Sequence, residues 1–433
     1  MDYQKLYDDF WQLSDQQDNH TFEDINILLN EIENLGHLGR ILDIGCGKGG
    51  LVDSLTKCGY DVTGIDVSEV AIKYCRTHCA GNFLRGSILS LPFPDDSFDT
   101  IISTNCLEHL AEKDIHPAVC EVNRVVIRKV YLRIVTRLDR DKKSPLTRKP
   151  RRWWEIHFLE SGLRKHPLCQ EITPFEKLEH ENRNITVVLQ KIPTIALQNF
   201  TQLWRSEKRE LHADMLRESN RRSDAHIARY QLARHLCPVQ AHILDAACGL
   251  GYGTAILCNQ RPKSKVTGVD ISEDAINYCK NNYASTQPNL EFHISDVEYM
   301  NRKLPNSSFD FITSFETLEH LSNPDNLLRS IQLLLKPGGK FLCSVPNLWV
   351  DESGRDPNPW HLHVFDFNKL ITLISKYLDV ITLYAQIAGN GKRYSTYPRT
   401  LQKVQPKMKY MDIAAEWCLV LAMRRETRTK TIN

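Results

Sequence analysis

The sequence predicts an α/β protein made of two tandem, doubly wound sheets, and three observations predict it. First, a strand-and-turn signature is written twice, as Ile41-Leu42-Asp43-Ile44-Gly45-Cys46-Gly47-Lys48-Gly49 and as Ile243-Leu244-Asp245-Ala246-Ala247-Cys248-Gly249-Leu250-Gly251. Second, three further blocks repeat in the same order. Gly64-Ile65-Asp66-Val67-Ser68 answers Gly268-Val269-Asp270-Ile271-Ser272, Ser97-Phe98-Asp99 answers Ser308-Phe309-Asp310, and Leu107-Glu108-His109-Leu110 answers Leu318-Glu319-His320-Leu321. The offset is 202 at Asp43/Asp245, 204 at Asp66/Asp270 and 211 at Asp99/Asp310 and His109/His320, too regular for chance. Third, β-rich runs alternate with helix-compatible ones, as in a parallel sheet covered on both faces.

Residues 1–36 read as polar helix carrying aromatics at Tyr3, Tyr7, Phe10 and Trp11. Strand-like runs follow at 40–44, 61–65, 98–103 and 129–136, with helix-compatible stretches such as 68–79 and 114–125 between them. Ile185 to Leu189 supplies a last strand, so the first domain spans 1–193. The second domain, 194–433, opens with a helical stretch at 198–236 that holds neither Pro nor Gly. Strands follow at 242–246, 265–269, 290–293, 309–314 and 340–345, with Pro337-Gly338-Gly339 making a turn before the fifth. A helix over 367–376 and strands near 378–384 and 417–423 complete it.

Two domains of this size can each bury a core, and 42% hydrophobic with 25% charged residues is ordinary for a globular protein. A net charge of +2 gives no reason to expect a nucleic-acid partner. The basic run from Arg137 to Arg152 is read as a solvated loop, because no nucleic-acid motif accompanies it. The 13 cysteines lack paired zinc-type spacing, and a disulfide at Cys46 or Cys248 would block the glycine turns. Reduced thiols in a cytoplasmic protein are the simpler expectation. Met1-Asp2-Tyr3-Gln4-Lys5 has no secretory pattern, and apolar runs such as Cys418 to Met423 are too short to span a bilayer. Oligomeric state is not readable.

A glycine-rich turn between strand and helix points backbone N–H groups at a ligand, and the helix N-terminus favours an anionic group there. The acid ending the next strand, Asp66 or Asp270, can take both hydroxyls of a ribose. Gly45, Gly47 and Gly50 satisfy G-x-G-x-x-G, so a nicotinamide enzyme has to be weighed. Against it, the second copy, with Ala247, Gly249, Gly251 and Gly253, breaks the dinucleotide spacing. Asp43 and Asp245 would face a pyrophosphate badly but suit an ammonium, and neither half has room for a second nucleotide-binding half.

At these residues the sequence resembles the class I S-adenosylmethionine-dependent methyltransferases, over roughly 38–135 and 240–347. The implied fold is that family's Rossmann-like sheet, mostly parallel with an antiparallel last strand, and the implied cofactor is S-adenosylmethionine. By resemblance, Asp43 and Asp245 help hold the donor's amino group. Gly45, Gly47 and Gly49, or Ala247, Gly249 and Gly251, line its methionine and ribose. Asp66 and Asp270 bind the ribose hydroxyls, with Val67 or Ile271 against the adenine, and Asp296-Val297 matches the acid that contacts the adenine amine. Ser87-Ile88 stands there in the first domain, so the second copy is expected to be the more intact. Val345-Pro346-Asn347 and Asn358-Pro359-Trp360-His361-Leu362-His363-Val364-Phe365 resemble a branch associated with sugars and surface glycans.

A hydroxyl acceptor gains from a base. His361 and His363 are the candidates in the second domain; His157, in Trp153-Trp154-Glu155-Ile156-His157, is the candidate in the first. That segment is read equally as an acceptor wall or as tryptophans packing a helix. Glu108, His109, Glu319 and His320 are read as structural, and Tyr7, Phe10 and Trp11 as a plain apolar helix face in preference to a lid over the donor. No metal is expected, since no His, Cys and carboxylate group has ligand spacing. The leading expectation is a methyltransferase acting on the oxygen of a sugar, surface glycan or other small molecule. The rival is a catalytically weak tandem scaffold or binding module that retains the cofactor.

Overall fold

A computed structural model describes residues 1–13, 22–136, 147–167, 169, 184–194, 224–259, 261–285, 287–348, 350, 354, 356, 358–388, 399–405 and 415–425. The chain divides into two compact units, Met1–Thr194 and Ile195–Asn433. Residues 137–146 of the basic run, and 198–223 of the expected helical stretch, lie outside the described residues.

The first unit opens with helices α1 (Tyr3–Leu13) and α2 (Phe22–Glu33). Strand β1 (Ile41–Ile44) is buried along its whole length, as the central strand of a sheet covered on both faces must be. Its side chains divide by parity, with Leu42 and Ile44 in one apolar cluster and Ile41 in the other. The sheet continues through β2 (Val62–Asp66), β3 (Asn82–Arg85), β4 (Phe98–Thr104), β5 (Val126–Val135), β6 (Leu163–Lys165) and β7 (Asn184–Lys191). Its order is β3-β2-β1-β4-β5-β7-β6. Strands β1 to β5 are parallel, while β7 runs antiparallel to both β5 and β6. Helices α3 (Gly50–Lys57), α4 (Glu69–His78), α5 (Glu112–Val125) and α6 (Arg151–Glu160) make the crossovers. The order of strand succession reverses between β1 and β4, the place where ligands enter such sheets.

The second unit repeats this plan. After α7 (Asp224–Leu236) come β8 (His242–Ala246), α8 (Tyr252–Cys258), β9 (Lys265–Asp270), α9 (Glu273–Cys279), β10 (Leu290–Ile294), β11 (Phe309–Phe315), α10 (Pro324–Leu334) and β12 (Leu335–Pro346). Then follow α11 (Phe367–Ser375), β13 (Asp379–Ala388), β14 (Arg399–Lys403) and β15 (Trp417–Met423), in the order β10-β9-β8-β11-β12-β15-β13-β14.

The class I methyltransferase fold expected from the sequence is therefore present twice, mostly parallel and with an antiparallel end. That end is larger than one last strand. β6 is three residues long and β14 reads Arg-Thr-Leu-Gln-Lys, so neither carries the apolar alternation that marks a strand. The Pro337-Gly338-Gly339 turn is absorbed into β12 as a bulge: Leu335 pairs with Phe309 and Lys340 with Phe311, and Gly338 takes φ 75°. Among the described residues no helix is long and apolar enough to cross a membrane, and none of the 13 cysteines is in a disulfide.

Candidate functional site

In the first domain the carboxyl ends of β1, β2 and β4 open onto a cleft, the concave kind of site that small-molecule cofactors occupy. Its floor is the turn after β1, where Gly45, Gly47 and Gly49 have φ of 77°, 53° and 81°. A Cβ on Gly45 would lie 2.6 Å from Cys106 Sγ, and one on Gly49 would lie 2.9 Å from the Phe83 ring. Neighbouring side chains thus already fill the space, and only bare backbone can face the ligand. Cys75 Sγ donates to the Gly47 carbonyl at 3.1 Å and pins the turn.

Asp66 ends β2 against this turn. Its Oδ2 accepts from Gly47 N at 3.0 Å and its Oδ1 from Ser68 N at 2.9 Å. A carboxylate has about four acceptor positions, so both oxygens can also receive a hydroxyl. Burial raises the Asp66 pKa, opposed by the backbone N–H groups of Ser68, Gly47 and Val67. Asp43, Val67, Ser87 and Ile88 also line the cleft; Ser87 Oγ accepts from Leu89 N at 3.2 Å.

Helix α1 closes the remaining side. Tyr3, Tyr7, Phe10 and Trp11 line the cleft, which corrects the expectation of a plain apolar face. The helix is latched at two points. Tyr3 Oη donates to Asp114 Oδ2 at 2.6 Å and accepts from Ala111 N at 2.9 Å. Asp8 Oδ1 accepts from Ser68 Oγ at 2.6 Å and from Val70 N at 3.3 Å. Lys48 Nζ lies 5.6 Å from the Trp11 ring and 5.4 Å from that of Tyr74, within cation–π reach.

The second domain reproduces the turn bond for bond. Gly249 N donates to Asp270 Oδ2 at 2.8 Å, Ser272 N to Asp270 Oδ1 at 2.9 Å, and Cys279 Sγ to the Gly249 carbonyl at 3.3 Å. Ala247 holds the left-handed conformation of Gly45, with φ 63°, at a cost of roughly 1–2 kcal/mol. Asp245 differs from Asp43 in what covers it. It is fully buried and accepts from Thr254 Oγ1 at 2.7 Å, Thr313 Oγ1 at 2.8 Å and Tyr230 Oη at 3.3 Å. Burial lifts its pKa to about 6. The Tyr230 ring lies where a side chain on Gly253 would be, 1.9 Å from that Cβ position. The second copy was expected to be the more intact, yet the carboxylate expected to hold an ammonium there already has three hydroxyl donors. Ile271 is 68% exposed, whereas Val67 packs in the cluster of Tyr3 and Tyr7. Asp296 Oδ1 accepts from Glu298 N at 2.9 Å and caps the turn that follows, and Val297 faces the core with Met300, not an adenine wall.

Comparison with known proteins agrees with this double geometry. A family model described as "Methyltransferase domain" matches residues 42–134, and another of the same description matches 239–392. The chain belongs to the class I S-adenosylmethionine-dependent methyltransferases. Ubiquinone biosynthesis O-methyltransferase of Coxiella burnetii is 36% identical over 106 residues, which is 24% of this chain and 44% of that protein. A probable S-adenosylmethionine-dependent methyltransferase of Mycolicibacterium smegmatis is 29% identical over 161 residues, 37% of this chain and 59% of that one. The chain thus spans about half the length of the curated relatives it matches. Phosphoethanolamine N-methyltransferase 1 of Haemonchus contortus, solved with phosphoethanolamine and S-adenosylhomocysteine, covers 97% of both chains at 14% identity and a TM-score of 0.37. A methyltransferase of Thermotoga maritima, possible histamine N-methyltransferase by its description, covers 47% of this chain and 90% of its own at 15% identity and a TM-score of 0.37. Likeness that slight bears on neither substrate nor mechanism. S-adenosylmethionine is the cofactor, and the first-domain cleft fits it: a carboxylate for the ribose diol, a bare backbone floor, and apolar Val67 and Ile88 beside them.

The histidines of this methyltransferase sit in different places from those expected. His157 Nδ1 is 2.9 Å from the Trp153 carbonyl, its ring lies on that of Trp153 at 3.9 Å, and it is not part of the cleft wall. Trp154 is fully buried and donates to the Lys149 carbonyl at 3.2 Å, so this segment packs α6 onto the sheet and is not an acceptor wall. His109, by contrast, lines the cleft edge-on to Tyr7 at 5.8 Å, and burial lowers its pKa to about 4. In the second domain His363 Nε2 is held by the Leu321 carbonyl at 3.0 Å. The backbone N–H groups of Leu362 and His363 donate to the Glu319 carbonyl, at 2.7 and 3.2 Å. That draws His361 against Glu319 and His320, and one ligand atom from each of the three lies within 4.8 Å of the others. The expectation of no metal rested on local spacing, which cannot register a grouping of residues that lie 41 positions apart, as His320 and His361 do. Asp8, Tyr230 and Asp356 carried no local signal.

Proposed function

We propose that the protein transfers the methyl group of S-adenosylmethionine to an oxygen of a small-molecule acceptor, a sugar or surface glycan among them, and that the first domain holds the donor. The observation that carries this reading is Asp66, whose two oxygens are fixed by Gly47 and Ser68 N–H groups at the wall of a cleft floored by glycine backbone. Methyl transfer from a sulfonium is an in-line displacement, so holding donor and acceptor aligned supplies most of the acceleration. Helix α1, by closing the cleft with four aromatic side chains, excludes water from that alignment. His109, neutral at pH 7 and in the cleft wall, takes the acceptor proton in this reading. The relative named as an O-methyltransferase favours oxygen as the accepting atom.

Calorimetric titration of the full chain with S-adenosylhomocysteine tests the assignment. One equivalent is expected to bind, with affinity lost in Asp66→Ala and kept in Asp270→Ala. The opposite pattern moves the donor to the second domain, and no binding by the wild type removes the catalytic reading in favour of a scaffold. His109→Ala is expected to lower turnover with little effect on donor affinity. Incubating cell extract with labelled donor and fractionating the product identifies the acceptor class.

A further inference from the structure

The second domain brings together a side-chain group that the donor chemistry does not use. We propose that Glu319, His320 and His361 form a binding site for a divalent first-row transition-metal ion.

Three features of the group support it. The ligand atoms of the three residues lie within 4.8 Å of one another, so a side-chain shift of a few tenths of an ångström brings all three to about 2.0–2.2 Å from one ion. The Glu319 side chain is fully buried, and both of its carboxylate oxygens lack a hydrogen-bond partner. A buried carboxylate with neither oxygen hydrogen-bonded is costly, and a cation between the two imidazoles supplies a direct partner. Finally, each imidazole has an acceptor at Nδ1 that leaves Nε2 as the ligating atom. His320 Nδ1 is 3.0 Å from the Trp360 carbonyl and His361 Nδ1 is 2.8 Å from Asp356 Oδ2. Both partners accept, so Nδ1 carries the proton and Nε2 the lone pair, which is the outer-shell arrangement that fixes a ligating tautomer.

The donor set chooses the ion. Two neutral imidazole nitrogens and one carboxylate suit Zn²⁺, Co²⁺, Fe²⁺ or Mn²⁺ better than Mg²⁺ or Ca²⁺, which prefer oxygen shells. His320 is exposed, so the ion has a route in and keeps coordination positions that an oxygen from solvent or from an acceptor can fill. Three protein ligands with an open side is the pattern of catalytic rather than closed structural sites.

The first domain acts as an internal control. Thr147 N donates to the Glu108 carbonyl at 2.9 Å, as Leu362 N does to that of Glu319. The residue before Leu362 is His361, whereas the residue before Thr147 is Leu146. Glu108 also spends Oε1 on Val135 N at 2.9 Å. In sequence, a histidine precedes the returning N–H donor in the second copy and not in the first.

The test is titration of the chelator-stripped full chain with Co²⁺ and Zn²⁺. One equivalent of Co²⁺ is expected, giving visible d–d bands without the intense near-ultraviolet thiolate absorption that cysteine ligation would add. Glu319→Gln and His361→Ala are expected to weaken binding by more than about 100-fold, beyond the 10–100-fold of losing an outer-shell partner, with unchanged circular dichroism of the metal-free protein. Asp356→Asn keeps all three ligands and is expected to cost about 10–100-fold, so it serves if either first variant fails to fold. Thiolate-type spectra, affinity unchanged in these variants, or no wild-type binding below millimolar metal would each overturn the site.

Discussion

Glu108 offers a sharp test of how burial works beside the donor cleft. It is fully buried, with Oε1 accepting from Val135 N at 2.9 Å and Oε2 lacking a partner. Burial raises its pKa from 4.5 to about 7, against the lowering effect of the backbone N–H groups. Between those values the unfolded chain releases a proton that the folded chain keeps. The stabilisation from this group is therefore complete below about pH 4.5 and is lost as pH rises through about 7. At 1.36 kcal/mol per pH unit, the interval is worth roughly 3 kcal/mol, of which roughly 2 to 3 kcal/mol falls between pH 5 and pH 8. Glu108→Gln keeps an acceptor for Val135 N–H and carries no charge. Urea denaturation of both proteins at pH 5, 6.5 and 8 is expected to show the variant gaining about that much on the wild type with rising pH. Stability curves that stay parallel across the range would refute the burial argument.

Three further perturbations follow from the same geometry. Asp8→Ala removes the acceptor for Ser68 Oγ and Val70 N, bonds worth about 1 kcal/mol each; limited proteolysis is expected to cut α1 sooner, and S-adenosylhomocysteine affinity to fall several-fold. Arg229→Met takes a buried guanidinium from Gln386 Oε1 at 2.7 Å, Ser344 Oγ at 3.1 Å and Glu316 at 3.1 Å. Denaturation is expected to show a loss of about 3–5 kcal/mol, because Glu316 is left without its countercharge. Gly45→Ala puts a Cβ at φ 77° and 2.6 Å from Cys106 Sγ; calorimetry is expected to show donor affinity reduced at least about tenfold, as the shifted turn forfeits a contact worth about 1.4 kcal/mol or more.

What could be read in advance, and what could not, divides by the distance over which residues act. Each repeated block is a strand end together with its own turn, so Asp43, Gly47, Asp66 and their partners in the second copy reveal the sheet from neighbours alone. The latch of α1 does not work that way, since Asp8 meets Ser68 across 60 residues and Tyr3 meets Asp114 across 111. An amphipathic face with four aromatics looks the same whether it packs on a sheet or lines a cleft. His361 reaches Glu319 only because the chain returns to donate two N–H groups to the Glu319 carbonyl. One hidden feature did leave a trace. Leu51 of the first copy is answered by Gly253, and Leu28 by Tyr230, a compensating exchange of volume between two positions that meet in space.

These comparisons locate where the two copies diverged. Contacts made by backbone, the Asp66 and Asp270 pairs with their glycine N–H groups, are the same in both to within 0.2 Å. Side chains that arrive from outside the repeated blocks differ: aromatics of α1 in the first copy, Tyr230 and His361 in the second. A shared donor-turn geometry therefore cannot by itself make two equivalent active centres. On the proposed reading, function in each copy turns on what covers the Asp at the end of its first strand. Over Asp43 that is a cleft closed by a latched helix, and over Asp245 it is a tyrosine ring with three hydroxyl donors already in place. Tyr230→Ala should for this reason do more than cost stability. If the ring is what closes the second copy, its removal is expected to add a second equivalent of S-adenosylhomocysteine in the titration, and a stoichiometry still at one would show that Asp245 is withheld by more than that side chain.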